Sequence, residues 1–247
     1  FSREEVDALA VESQKRADYA IKHGHFDKSL ITVKNDDGSV ALDREEFPRP
    51  GTTLESLSGL DTVFDKFMGV PIDETGETFD QLVKRAYPDL AINHVHHAGN
   101  SAGVVDGAAA LIMSSKEYAS AQGWKPRARV RAIATVGGSP TLMLNEPVPA
   151  ARKVLERAGM TTNDIDLFEV NEAFSVVAAK FIRDLALDPA IVNVNGGAMA
   201  LGHPIGATGS ILIGTALDEL ERRDLNTALI TMCTGGGMAP AIIIERV

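Results

Sequence analysis

From Arg127 to the last residue the hydrophobic period switches back and forth between 2 and 3.6, and that rhythm restricts the possible folds more than any other feature of the chain. "ARVRAIATVG" reads as a strand, "PAARKVLERAG" as a helix stopped by Gly159, "IDLFEVN" as a strand and "EAFSVVAAKFIRDL" as a helix, and the alternation continues to the terminal "PAIIIERV". Strands alternating with helices resolve into an α/β sheet covered by helices, with sites outside the strand ends. Three such ends carry unusual side chains: Asn171 and Glu172 after "DLFEV", His203 after "NVNGGAMALG" and Cys233 after "ALITM".

Each has a structural reading beside a chemical one. A single Cys at a strand end commonly serves as a small buried hydrophobe. In "CTGGG", however, the backbone after the sulfur carries no side chains, so amide N–H groups can approach a thiolate or a developing oxyanion. Stabilising the anion predicts a lowered thiol pKa at Cys233 and a group able to act as base or acid. His203 stands just before "PIGATGSILIGTALDEL", whose composition suggests a buried helix, and a helix N-terminus disfavours an imidazolium. A neutral imidazole there can take a proton from a nucleophile or donate to a carbonyl oxygen. Asn171 in "NEAF" suits either a helix cap or a catalytic amide.

Before Arg127 the texture is less regular. Ser2 to about His25 reads as an amphipathic helix through Val6, Leu9, Ala10, Ser13, Ala17 and Ile21, with Glu4 and Glu5 in its first turn. Phe1-Ser2 is neither an initiator Met nor a signal peptide and leads straight into that capped helix, so further sequence is expected upstream. Residues 26–92 form a loop-rich stretch with Pro48, Pro50, Pro71 and Pro88, and a hairpin turning at Asp37-Gly38. In "INHVHHAGNSAGVVDGAAALIMSSKEYASAQG" a short strand and turn precede a segment whose helical end is bounded by Gly123, and Lys125-Pro126 marks a boundary.

Composition excludes several classes. The 247 residues are 45% hydrophobic, enough for a substantial core, while 34 acidic against 24 basic residues leave a net charge of -10, contrary to a nucleic-acid partner. One Cys rules out an intramolecular disulfide and fits a reducing compartment, and no apolar run approaches the roughly 20 residues of a membrane span; a cytoplasmic location is expected. The glycine-rich turn has neither dinucleotide nor triphosphate fingerprint, and no Lys or Arg lies between Asn193 and Glu221 to meet a phosphate. His94 and His96 would share one face of a strand, but no carboxylate or further Cys stands at ligand spacing, so no metal is expected.

Four blocks, "AGNSAGVVDGAAA" at 98–110, "NEAF" at 171–174, "NVNGGAMALGHPIGATG" at 193–209 and "CTGGG" at 233–237, together resemble the thiolase (acetyl-CoA acyltransferase) family, in family order. Wording such as "INHVHHAGNS" and "IIIERV" is most similar to bacterial degradative thiolases. The resemblance implies the layered αβαβα thiolase fold: residues 1–92 as part of the loop domain, 93–124 as the end of the N-terminal domain and 125–247 as a complete C-terminal domain. It implies a ping-pong cleavage of 3-ketoacyl-CoA through an acylated Cys, which splits one hard step into two. His203 would activate the nucleophile and, with a water held by Asn171, bind a thioester oxygen. Cys233 would move the proton at C2, and the backbone N–H of Gly235 would join a second oxyanion hole. Ala98, Ser101, Ala102, Ala173 and Phe174 would line the coenzyme A channel. No cofactor is implied, coenzyme A being a substrate. The implied partners are acyl-CoA, a second or fourth copy of the chain, and a hydratase-dehydrogenase subunit of a β-oxidation complex.

Two departures qualify the resemblance. The order Asn100-Ser101-Ala102 differs from the family's channel motif and would move one hydrogen bond to coenzyme A. The family's nucleophilic Cys belongs to its N-terminal half, and Cys233, the only Cys, cannot serve as both nucleophile and second acid/base. The chain is therefore expected to be a C-terminal portion of a thiolase. The other readings are a non-catalytic thiolase-fold module that binds acyl-CoA or a partner, and a ketoacyl synthase, a class that usually has His or Asn where "NEAF" and "CTGGG" stand.

Overall fold

In the computed structural model, which describes residues 1–247, the alternation after Arg127 becomes one mixed sheet between two helical layers. The strands are β1 (Val33–Lys34), β2 (Val40–Leu42), β3 (Ala128–Gly137), β4 (Leu167–Val170), β5 (Thr227–Thr231) and β6 (Met238–Arg246). The helices are α1 (Arg3–Lys22), α2 (Leu54–Ser58), α3 (Phe79–Ala86), α4 (Lys116–Ala121), α5 (Pro147–Ala158), α6 (Ser175–Asp184), α7 (Ala198–Leu201) and α8 (Thr208–Arg223). The main sheet runs β3-β6-β5-β4; β4 and β5 are parallel, and β6 is antiparallel to both its neighbours.

The period-2 pattern accounts for the layers. Phe168 and Val170 of β4 join Leu229, Ala241 and Ile243 beneath α5 and α6, where Val154, Leu155, Val177 and Phe181 complete the larger core. Leu167, Ala228, Ile230 and Ile244 face the other way, onto Leu212, Ala216, Leu217 and Leu220 of α8. Each fully buried side chain of this size stabilises the fold by about 1.5–3 kcal/mol, so both faces of the sheet hold their helices firmly. Helix α1 begins where the sequence puts it: the amide of Glu5 donates to Ser2 Oγ at 3.1 Å and the amide of Ser2 to Glu5 Oε2 at 2.6 Å, a reciprocal cap. Its buried face is Val6, Ala10, Ser13 and Ala17, while Ile21 is exposed.

Two expected strands do not form. Residues 93–97 have no strand, so His94 and His96 share no strand face. "NVNGG" and the residue before it make only isolated bridges, Val194 with Gly196 and Phe168 with Val192, because Asn193 adopts φ +46 and turns the chain. The side chain of Asn193 takes over the pairing, accepting from the Val170 amide at 2.8 Å and donating to the Val170 carbonyl at 2.9 Å.

Apolar surface stays uncovered. The 26.3 kDa chain has an accessible surface of 13791 Å², whereas a globular monomer of that mass has about 10,600 Å². The excess is about 3,000 Å² on this one chain, more than one partner's share of a standard-size interface. Helix α8 contributes little, since its apolar stripe is already on the sheet. The bare groups are in residues 104–113, which lack helix or strand and leave Val104, Ile112 and Met113 open, and around the β1-β2 hairpin at Ile31, Val33 and Val40. Residues 1–247 expressed alone are expected to aggregate and to bind 8-anilinonaphthalene-1-sulfonate. A soluble monomer with a cooperative melt would rule this out.

Candidate active site

Three turns meet beyond the C-terminal ends of β4 and β5. The parallel register Val170 to Thr231 is prolonged by one more bond, from the Asn171 amide to the Thr231 carbonyl at 3.1 Å, so Asn171 leaves the sheet beside the strand that leads two residues on to Cys233. Residues 171–174 lie outside any helix, with a bend at Ala173, and α6 starts only at Ser175 with Phe174 at its N-cap, so Asn171 caps no helix. It is 1% exposed. Its Nδ2 lies 3.4 Å from His203 Nε2, and its Oδ1 has no partner.

The extended segment Ser101 to Val104 laces the other turns together. Ser101 bridges Phe174, the Ala102 amide donates to the Ala173 carbonyl at 3.0 Å, and the His203 amide donates to the Gly103 carbonyl at 2.8 Å beside the bridge of Val104 to His203. His203 Nδ1 lies 2.7 Å from Thr208 Oγ1, whose hydroxyl donates to the Pro204 carbonyl at 3.1 Å. Thr208 Oγ1 therefore accepts from Nδ1–H, and Nε2 faces Asn171 with its lone pair. Burial holds the His203 imidazole below its ordinary value. The expected helix N-terminus is not the cause: α8 begins five residues later and reaches His203 only through Thr208.

Cys233 is 6% exposed and belongs to the core beneath α5 and α6. The sequence pattern predicts a depressed thiol pKa; burial instead pushes it up to about 11, outweighing its backbone hydrogen bond. The thiol is consequently held protonated, which suits a proton donor rather than a resting thiolate. The turn after it is closed by the Thr234 amide to the Met238 carbonyl at 2.8 Å and the Met238 amide to the Thr234 carbonyl at 3.2 Å. Its glycines differ: Gly237 has φ +81 and a Cβ there would lie 2.6 Å from the Ser139 carbonyl oxygen, whereas Gly235 has open space around it.

Direct contacts thus unite Asn171, His203, Ser101, Ala102, Ala173 and Phe174, and strand pairing brings Cys233 alongside, with Gly235 two residues beyond it. Ala98 is exposed at the head of the short 3-10 turn 98–100, three residues short of this wall. Ser101 Oγ and Asn171 Oδ1 are two buried polar atoms without a hydrogen-bond partner. Such an orphan costs about 1–3 kcal/mol, so two within one constellation leave polar groups there that a partner could satisfy; a third orphan, Asp218 Oδ2, lies on α8. Phe64, which nothing in the sequence singled out, and His96, which the sequence suggested only as part of a metal face, join the wall. Both rings pack against Phe174, with centroids at 5.5 and 5.2 Å. Only the histidine run "NHVHH" signalled the place, and it suggested a metal face. Instead His96 Nδ1 bonds Asn100 Oδ1 at 3.1 Å, and His97 Nε2 bonds Asp7 Oδ1 at 2.8 Å.

Comparison with known proteins gives the same result in both sequence and fold. Residues 1–71 match the family model "Thiolase, N-terminal domain" and residues 124–246 the model "Thiolase, C-terminal domain". The chain is 42% identical over 247 residues to acetyl-CoA acetyltransferase of Shinella zoogloeoides, covering 99% of this chain and 56% of that protein. It is 45% identical over 252 residues to 3-oxoadipyl-CoA/3-oxo-5,6-dehydrosuberyl-CoA thiolase of Escherichia coli strain K12, covering 100% and 56%. Among solved structures, human mitochondrial 3-ketoacyl-CoA thiolase in complex with CoA superposes with a TM-score of 0.85 at 35% identity, over 100% of this chain and 55% of that one. The chain spans a little over half the length of these relatives.

In the intact protein, Gly237→Ala is expected to lower stability by about 1–3 kcal/mol, from the forced left-handed conformation and the close carbonyl. Gly235→Ala should stay within about 0.5 kcal/mol of wild type. Equal melting temperatures for the two variants would contradict the turn geometry.

Proposed function

The chain belongs to the thiolase family, and from that premise we propose that it serves the reversible, coenzyme A-dependent cleavage of a 3-ketoacyl-CoA to acetyl-CoA and a shortened acyl-CoA. The observation that carries this reading is the pair of orphaned polar atoms, Asn171 Oδ1 beside His203 and Ser101 Oγ in the segment that pairs with Phe174 and His203. Asn171 Oδ1 accepts one hydrogen of a water, whose other hydrogen meets the thioester oxygen. His203 Nε2 takes the proton of the attacking thiol and then, as the imidazolium, helps hold that oxygen. Ser101 Oγ, against Phe174 and Ala102, takes a polar group of the pantetheine arm.

The acyl-carrying thiol is supplied by residues outside these 247, because Cys233 is the only Cys present. In thiolysis the C2–C3 bond breaks, the acyl carbon stays on the nucleophilic sulfur, and the electron pair left on C2 takes the proton of Cys233. A thiol buried enough to stay neutral suits that transfer. The Gly235 amide supplies an oxyanion donor to the same turn. In this reading residues 1–92 belong to the loop domain, 93–124 close the N-terminal domain and 125–247 are the C-terminal domain. The uncovered apolar surface supports a larger assembly, in this proposal a homodimer or homotetramer; a cytoplasmic location and the lack of a metal or resident cofactor are further parts of the proposal. No helix is long and apolar enough to cross a membrane. Acetyl-CoA, 3-oxoadipyl-CoA and 3-ketoacyl-CoA all occur among the names of the relatives, and chain-length assays of the intact protein choose among them.

In the intact protein Cys233→Ala is expected to lower kcat for thiolysis of acetoacetyl-CoA at least about 100-fold, with coenzyme A affinity within about threefold, because the proton transfer exists only in the transition state. Retention of kcat within about threefold, less than ~1 kcal/mol, would remove Cys233 from the chemistry. His203→Asn is expected to abolish formation of a labelled acyl-enzyme. Trapping of that label at the wild-type rate would exclude His203 as the activating base.

A further inference from the structure

Glu172, next to Asn171, has no part in the chemistry above, yet it is 3% exposed and three donors converge on it. Ser13 Oγ donates to Oε2 at 2.6 Å, the Met199 amide to Oε2 at 3.3 Å and Asn193 Nδ2 to Oε1 at 2.9 Å. The three come from α1, from the short helix α7 four residues before His203, and from the turn after β4's neighbouring bridge. The Ser13 hydroxyl also works as an acceptor, taking the Gly197 amide at 3.0 Å, so its own hydrogen is committed to Glu172. The next residue, Gln14, donates to the Met199 carbonyl at 3.1 Å and accepts the Arg49 amide at 2.7 Å. One face of α1 is thereby stitched to the loop that ends in "GHP".

The glycines of that loop follow from the same packing. A Cβ on Gly197 would collide with the Glu172 carboxylate, and one on Gly196, which has φ +79, would lie 2.6 Å from the Ser13 carbonyl oxygen. "NGG" is side-chain-free so that a helix and a carboxylate can lie directly on its backbone. Burial holds the Glu172 carboxyl above its ordinary value, outweighing the Ser13, Asn193 and Met199 donors, which favour the carboxylate form.

Resting on the proposed activity, we infer that Glu172 is a positioning residue for that site: it locks α1 to the turns bearing Asn171 and His203 and so sets the 3.4 Å approach of Asn171 Nδ2 to His203 Nε2. Replacing one oxygen by an amide, in Glu172→Gln, turns a donor against Ser13 or Asn193 and frees the loop. Ser13→Ala removes the link from the helix side and leaves the carboxylate's other two donors.

The test uses the intact protein with both single variants and the double variant. Side-chain ¹⁵N resonances of His203, assigned by their loss in His203→Asn, are recorded without substrate, and kcat and KM for coenzyme A are measured on the folded fraction. The expected result is a shift of the His203 resonances and a fall in kcat of about tenfold or more in each single variant, with KM within about threefold. The double variant should be no worse than Glu172→Gln, since the two residues act through one contact. If Glu172→Gln fails to fold, Ser13→Ala decides alone. Unmoved His203 resonances, or kcat within twofold of an active wild type, with only the melting temperature lowered, overturn the inference. A wild-type protein that does not turn over acetoacetyl-CoA overturns the reading of function instead, and the resonances still report whether Glu172 holds His203.

Discussion

The parallel pairing of β4 with β5 is the constraint on which the rest of the site depends. Its register, Leu167 opposite Ala228 through Val170 opposite Thr231, is set by burial on both faces: a slip of one residue would move Phe168 from the α5 and α6 core to the α8 side and bring Glu169 in its place. Because the strands run the same way, both chain exits open at one edge of the sheet. Asn171 and Cys233 are brought together by that topology alone, and the Asn171 amide on the Thr231 carbonyl carries the pairing right up to the site.

Around this edge the protein uses buried polar groups as fasteners. Glu172 joins α1 to the His203 loop, and Asp7 joins the same helix to the turn before Ser101 by accepting from His97 Nε2, from Asn100 Nδ2 at 2.7 Å and from Arg3 Nε at 2.8 Å. Burial alone would raise the Asp7 carboxyl, but these partners together hold it below the ordinary carboxylate value. Hydrophobic contact tolerates sliding, while a buried carboxylate with directed donors does not. Helix α1, distant in sequence from every catalytic candidate, is thus tied into both walls of the site. By contrast Glu169, which shares the sheet face of α8, is raised well above its ordinary value by burial and then by Glu172 and Glu219. Burial and the two like charges thus both disfavour the charged form of Glu169 behind the site.

Much of the layout was legible in the residues themselves. Periods of 2 and 3.6 located β3 to β6 except for their partners, and located α1, α5, α6 and α8, because each of these elements buries one face against its neighbours and the pattern records that burial. The reciprocal cap of Ser2 and Glu5 is local chemistry within one turn and was readable as such. Asn171, His203 and Cys233 stood out because each interrupts or ends an apolar run beside glycines.

What tertiary structure decided lies in contacts between segments far apart in the chain. Phe64 and His96 meet Phe174 across more than seventy residues, and Ser13 meets Glu172 across 159, distances over which no periodicity carries information. The same holds for electrostatics: the glycine turn after Cys233 suggested a stabilised thiolate, but the thiol's environment is set by α5, α6 and the sheet packed over it, and desolvation wins. At Asn193 a left-handed backbone and side-chain bonds to Val170 replace the strand ladder that the apolar flanks had promised. By itself the sequence determined which segments become helix or strand and which residues end them, since those are matters of local burial pattern and capping. Only the folded chain decided who donates to whom and how dry each group is, because hydrogen-bond direction and desolvation exist only once remote segments share a surface.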